Sequence, residues 1–227
     1  MPRFAVILPA AGLSTRFGGP RSKLAERVGD MTVLERTVAA FTTRDDVETV
    51  IIATRDPAAV SFPGAVAVQG GASRAESVFN ALRAVPETIE WIAVHDAARP
   101  LVSQELIDRT FAAAVERGAA VPAMPVALTI KQAQGPLPAV VERTVPRDRL
   151  WAMQTPQAMR RTELLDAFKR CPIPLDQVTD DVQLLELSGH EVWLVAGEER
   201  NLKITTPMDL KLAELLLKSE GGRQKAE

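Results

Sequence analysis

Short, continuous apolar runs alternate with stretches of helical spacing through the first half of this chain. Residues 4–8 are an unbroken apolar run, which predicts a strand buried on both faces. Val33, Leu34, Thr37, Val38 and Phe41 fall at helical intervals, which predicts a helix over 32–41. Apolar runs at 47–53, 65–68, 89–94 and 119–123 predict four more strands. Helices are predicted at 72–85, where Ser73 suits the N-cap, and at 104–117, which Gly118 ends. Buried strands separated by helices predict an α/β fold, with a mostly parallel sheet covered by helices on both faces.

The alternation breaks after residue 125. Residues 126–147 hold two β-like pieces, 128–131 and 140–145, around the turn residues Gln134, Gly135 and Pro136, which predicts a β-hairpin. The pattern fits an edge hairpin on the core and a projecting arm that meets another subunit equally well. Helices follow at about 162–169 and 179–188, then strands at 191–195 and 202–204. A last helix is predicted from Met208 to about Lys218, with Pro207 at its start. Residues 219–227 read as a polar tail. No repeat or linker interrupts the chain, so the expectation is one domain.

Composition narrows the chemistry. The chain has 227 residues, 46% of them hydrophobic and 25% charged, as expected of a globular protein. With 27 basic and 29 acidic side chains the net charge is -2, which argues against a nucleic-acid binder. The single cysteine, Cys171, excludes an internal disulfide and a cysteine-rich zinc site. No apolar run is long enough to span a membrane, and the N-terminus lacks the apolar core of a signal peptide; the expected location is the cytoplasm. Two histidines and no tyrosine leave few acid–base groups, so charge stabilisation by Lys, Arg and a metal is the chemistry to look for.

Three segments carry that chemistry. The first is the loop after the first strand: Pro9, Ala10, Ala11 and Gly12, then Arg16 and Lys23 seven residues apart. Small residues there allow backbone N–H groups to approach phosphate oxygens, and Arg16 and Lys23 could fold over them. The loop matches neither the P-loop nor the dinucleotide fingerprint, and a solvated surface turn is the plainer reading. The second is His95, Asp96, Ala97, Ala98, Arg99 and Pro100 at a strand end, where open α/β sheets bind ligands. Asp96 there suits Mg²⁺ beside a phosphate and Arg99 a second anion; the plainer reading is a helix cap and a surface ion pair. His95 reads as a structural histidine. The third is Gly70 and Gly71 with Ser73, Arg74 and Ser77, which suits a base or sugar, or is simply a capped strand–helix junction.

These segments, followed by Thr155-Pro156-Gln157, Thr179-Asp180-Asp181 and Asn201-Leu202-Lys203-Ile204-Thr205, resemble in their order the 2-C-methyl-D-erythritol 4-phosphate cytidylyltransferase family of the non-mevalonate isoprenoid pathway. The resemblance runs from the first strand to the last helix. It implies a Rossmann-like nucleotidyltransferase fold, a projecting β-arm that interlocks a homodimer, and transfer of CMP from CTP to methylerythritol 4-phosphate with Mg²⁺. By position, Arg16, Lys23 and Lys203 would be catalytic, and Asp96 would hold the metal. Pro9, Ala10, Ala11, Gly12, Gly70, Arg74, Ser77 and Asp96 would bind CTP. Arg99, Thr129, Arg147, Thr155 and Thr179 would surround methylerythritol phosphate, with Thr129 and Arg147 coming from the partner subunit. Two departures are visible. Ser22-Lys23-Leu24 stands where the family usually has Pro-Lys-Gln, and Leu128 precedes Thr129 where an acid is common. Ribitol 5-phosphate cytidylyltransferase is the nearest rival, but its members usually carry Val at the place of Ala98. A non-catalytic relative is disfavoured by the complete charged set of Arg16, Lys23, Asp96 and Lys203.

Overall fold

A computed structural model describes residues 2–12, 17 and 22–223, with side chains to residue 219. In chain order the strands are β1 (Phe4–Pro9), β2 (Arg27–Val28), β3 (Met31–Thr32), β4 (Val47–Thr54), β5 (Ala65–Gln69), β6 (Trp91–Val94), β7 (Ala119–Pro125), β8 (Ile130–Ala133), β9 (Val141–Val145), β10 (Trp151–Met153), β11 (Gln157–Arg160) and β12 (Trp193–Ala196). The helices are α1 (Val33–Thr42), α2 (Arg74–Leu82), α3 (Gln104–Arg117), α4 (Arg161–Arg170), α5 (Asp181–Leu187) and α6 (Pro207–Arg223).

Eight strands form the main sheet. β5, β4, β1 and β6 are parallel neighbours, and β11 lies antiparallel between β6 and β7. Ala123 pairs with Ala196 on one side and Met153 on the other; Ala120 pairs with Trp193 and Ala158 in the same way. β10 and β11 therefore follow each other along one edge of β7, and β12 takes the other edge. Between Met153 and Ala158 the chain takes five steps against three on β7. Gln154 N–H still donates to the Pro122 carbonyl, so the two surplus residues are Thr155 and Pro156, and the Thr155 hydroxyl meets the Asp96 N–H just past β6. β8 and β9 pair only with each other and form a separate two-stranded ribbon.

Alternation along β1 divides the core in two. Ala5 and Ile7 face α2, α4 and α5, through Val78, Leu82, Leu164 and Leu185. Phe4, Val6 and Leu8 face α1 and α3, through Phe41, Ile107 and Phe111. Each fully buried Leu, Ile or Phe contributes about 1.5–3 kcal/mol. Capping boxes start α1 (Thr32 with Glu35) and α2 (Ser73 with Glu76), so both helices begin where the sequence places a hydroxyl three residues before a glutamate. Gly118, at φ 96°, ends α3.

The sheet and its two helical layers agree with the sequence expectation. Four predictions need correcting. Residues 202–204 form no strand; Ile204 N–H donates to the Ala98 carbonyl and the segment lies across the 97–98 loop. The helix expected at 179–188 is Asp181–Leu187, because Asp180, not Thr179, caps it, accepting from Gln183 N–H. The last helix runs on to Arg223, so part of the expected tail is helical. Strands β2, β3, β10 and β11 have no counterpart in the sequence reading; they are two to four residues long, too short to show a period.

Candidate active site

Parallel strands deliver their following loops to one edge of the sheet, and the candidate residues collect there. A cavity of about 390 Å³ opens over the ends of β1, β4, β5 and β6. Pro9, Ala10, Ala11 and Gly12 form its floor, Gly71 and Ala72 one end, and Lys23 and Lys203 reach it from the other loops. A second cavity of about 190 Å³ adjoins it, bounded by Arg99, Thr155, Gln157 and Thr179. Arg74, Asp96 and Lys203 line both. Two compartments thus meet at one carboxylate and two cations.

Asp96 is buried and surrounded by positive charge. Lys203 Nζ is 2.9 Å from its Oδ2, Arg99 Nε 3.5 Å from the same oxygen, and Arg74 Nε 3.4 Å from Oδ1. Burial opposes ionisation of this carboxyl, but Arg74, Lys203 and Arg99 outweigh it and hold its pKa far below the usual carboxylate range. Arg74 also pairs with the fully buried Asp181 at 2.7 Å. Burial lowers the pKa of Arg74, but Asp181 and Asp96 overcome that and raise it above its ordinary value. Burial lifts the Asp181 carboxyl above its own range in spite of Arg74.

Behind Asp96 a hydrogen-bond chain fixes the loop. Asp96 N–H donates to Thr155 Oγ1 at 3.0 Å, so the Thr155 hydroxyl gives its proton to His95 Nδ1, also at 3.0 Å. His95 Nε2–H then donates to the Arg99 carbonyl at 3.2 Å. This assignment needs a neutral imidazole, and burial pushes the His95 pKa down to about 4. His95 is structural, as the sequence suggested. Thr155 lines the second cavity, and its hydroxyl supports the Asp96 loop.

Lys23 follows the N-cap Ser22 of a short helical turn and donates from Nζ to the Ile204 carbonyl at 2.8 Å. That places it beside Lys203. Gly70 and Ser77 lie beneath the cavity wall. A Cβ on Gly70 would sit 2.4 Å from the Ala11 Cβ, so only glycine allows the β5 turn to pack on the β1 loop. Ser77 Oγ accepts from Gly71 N–H and donates to the Ser73 carbonyl, shaping the turn. Arg99 Nη1 donates to the Asn201 carbonyl at 2.6 Å, while Thr179 donates its hydroxyl to Gln183 Oε1. Thr129 and Arg147 are exposed at the base of the ribbon, just before β8 and just after β9, and line neither cavity. Arg16 lies outside the described residues.

Sequence reasoning overlooked three groups. Asp181 passes for an acid favouring its own helix dipole until Arg74 is seen against it. Gln154 holds the Glu198 backbone at both N–H and C=O, tying the β10–β11 connection to the loop that carries Lys203. Arg55, just past β4, lines the larger cavity. Its position at a strand end is the signal that could have found it.

Among the described residues no cluster of three or more His, Cys, Asp or Glu could enclose a metal ion. Asp96 alone fits a divalent cation whose remaining ligands are phosphate oxygens and water, a common arrangement for Mg²⁺ beside nucleotides.

Residues 4–219 match the family described as "IspD: 2-C-methyl-D-erythritol 4-phosphate cytidylyltransferase". A relative of that name from Symbiobacterium thermophilum is 41% identical over 222 residues, covering 95% of this chain and 93% of its own. The bifunctional enzyme IspD/IspF of Desulfotalea psychrophila is 39% identical over 97% of this chain, which spans 58% of that longer protein. The crystal structure of the cytidylyltransferase from Thermus thermophilus superposes with a TM-score of 0.78 at 39% identity, over 95% of this chain and 98% of that one. With the strand-end site and these similarities together, the chain belongs to the IspD family of 2-C-methyl-D-erythritol 4-phosphate cytidylyltransferases.

Proposed function

We propose that this protein transfers the cytidylyl group of CTP to 2-C-methyl-D-erythritol 4-phosphate, giving 4-diphosphocytidyl-2-C-methyl-D-erythritol and pyrophosphate. The observation that carries the reading is the meeting of two cavities at Arg74, Asp96 and Lys203. The larger takes the nucleotide and the smaller the polyol phosphate, so the α-phosphorus lies at their junction. An oxygen of the acceptor phosphate forms the new bond to that phosphorus. The bond from phosphorus to the α–β bridging oxygen breaks, and pyrophosphate leaves with the electron pair. The acceptor phosphate is already ionised at neutral pH, so no general base is needed. The protein's task is positioning and charge stabilisation. Lys203 and Lys23 stabilise the charge on the α-phosphoryl oxygens, and Arg16 joins them by its place in the family pattern. Arg99 and Thr179 face the acceptor. Asp96 would hold Mg²⁺, which when bound neutralises further phosphate charge.

The β8–β9 ribbon supports a homodimer. Leu128, Leu137, Val140 and Val141 are exposed along it or at its ends, an apolar surface of the kind usually covered by a partner. A second subunit would bring its Thr129 and Arg147 to the acceptor cavity. Sizing at micromolar concentration should give twice the 24.6 kDa chain mass, whereas a monomer would remove the role of both residues. A cytoplasmic location remains the expectation; in the described residues no helix is long and apolar enough to cross a membrane. The reaction itself is tested by identifying the product formed from CTP, methylerythritol 4-phosphate and Mg²⁺, with one pyrophosphate released for each.

A further inference from the structure

The larger cavity has a chemically uneven lining. At the Asp96 end stand Lys23, Lys203 and Thr205. At the opposite end, over β4 and β5, the wall is Ala11, Gly12, Gly71 and Ala72, which offer only backbone and methyl groups. Arg74, which opens α2 on that side, turns its head away to Asp96 and Asp181 at the junction. Among the described residues, that leaves Arg55 as the side chain with a hydrogen-bonding head at this end.

Arg55 stands immediately after β4, between the β1 loop and the β5 turn in the order of strands. It is exposed, while Ala11 beside it is buried. Its Nε donates to the Ala11 carbonyl at 2.7 Å. Among the described residues it makes no other hydrogen bond, and no carboxylate comes within ion-pair distance of it. An arginine tethered at Nε keeps its flat guanidinium in a restricted orientation with both Nη groups unused. Such a plane at a pocket mouth suits stacking on a nucleobase, which every pyrimidine offers as a flat π-face. The ends of β4 and β5 lie across β1 from Asp96, which follows β6. With the α-phosphate at the proposed junction, this wall of backbone and methyl groups suits the base rather than the charged β- and γ-phosphates.

We infer that Arg55 is a further substrate-contacting residue, whose guanidinium closes over the pyrimidine ring of the bound nucleotide while backbone groups of the β1 loop and β5 turn meet its edge. This rests on the larger cavity being the CTP site. Arg55 is about 10 Å, two strand spacings, from the β6 line that carries Asp96. It takes no part in the chemical step.

The test compares wild type with Arg55→Ala and Arg55→Gln in steady-state kinetics, with inhibition by CMP and by pyrophosphate measured in parallel. Arg55→Ala should raise KM for CTP and Ki for CMP by about tenfold, the scale of one lost base stack. It should leave kcat, KM for the acceptor and Ki for pyrophosphate within about twofold. Arg55→Gln, which keeps a flat amide, should lose less. An unchanged KM for CTP would overturn the inference. So would weakened pyrophosphate inhibition with unchanged CMP inhibition, which would put Arg55 on the phosphates. Failure of the wild type to use CTP would instead contradict the proposed function.

Discussion

Replacing Lys23 by alanine should lower kcat by about 10²–10³-fold, the scale of losing one preorganised group that stabilises developing charge. Lys23 Nζ rests on the Ile204 carbonyl at 2.8 Å, next in sequence to Lys203. The short turn that carries it is capped by Ser22, so its backbone does not depend on the ammonium group. CTP affinity should therefore survive, because the wall of the larger cavity, the proposed CTP site, is mostly backbone and small side chains that the substitution leaves in place. The diagnostic result is a kcat loss much larger than the change in KM for CTP, measured beside direct CTP binding to the variant. A Lys23→Ala enzyme with normal turnover would refute the charge-stabilisation mechanism for any acceptor.

Asp96→Asn should be as damaging for a different reason. The asparagine keeps the size of the side chain and removes the one charge shared by Arg74, Arg99 and Lys203. Three cations would then repel one another across a buried site, and the anchor proposed for Mg²⁺ would be gone. We expect kcat/KM to fall by about 10²–10³-fold, comparable to other electrostatic deletions. The Mg²⁺ concentration for half-maximal rate should rise as well. The fold should persist, since Thr155 holds this loop through the Asp96 backbone N–H, which asparagine retains. Circular dichroism at neutral pH checks that point. Activity within about tenfold of wild type would show that Asp96 is dispensable.

Much of the scaffold is written in local pattern. The continuous apolar run of β1 packs helices on both faces, and Thr32 with Glu35 and Ser73 with Glu76 mark where α1 and α2 begin. β11 is the counterexample. Its sequence Gln-Ala-Met-Arg carries no alternation, yet it fills the gap between β6 and β7 and buries Ala158 and Met159 completely. Only its neighbours make it a strand. Leu202 and Ile204 show the reverse, an alternating pattern that tertiary contacts turn into a loop.

The site divides in the same way. Asp96 was legible because the end of a buried parallel strand is a ligand position in open α/β sheets. Lys23 and Lys203 are 180 residues apart in number, and nothing local joins them; it took the order of recurring segments to suggest one site. Asp181 and Arg55 belong to no spacing rule. Asp181 matters through its 2.7 Å contact with Arg74, and Arg55 through its bond to the Ala11 carbonyl. Both contacts join residues far apart in sequence and exist only once the sheet has assembled.

The most direct test of the account is Mg²⁺-dependent pyrophosphate release from CTP with methylerythritol 4-phosphate and ribitol 5-phosphate supplied in parallel. The two cavities, the cationic junction and the family together predict release with methylerythritol 4-phosphate and little with ribitol 5-phosphate. Release with ribitol 5-phosphate alone, or with neither although CTP binds, would contradict it.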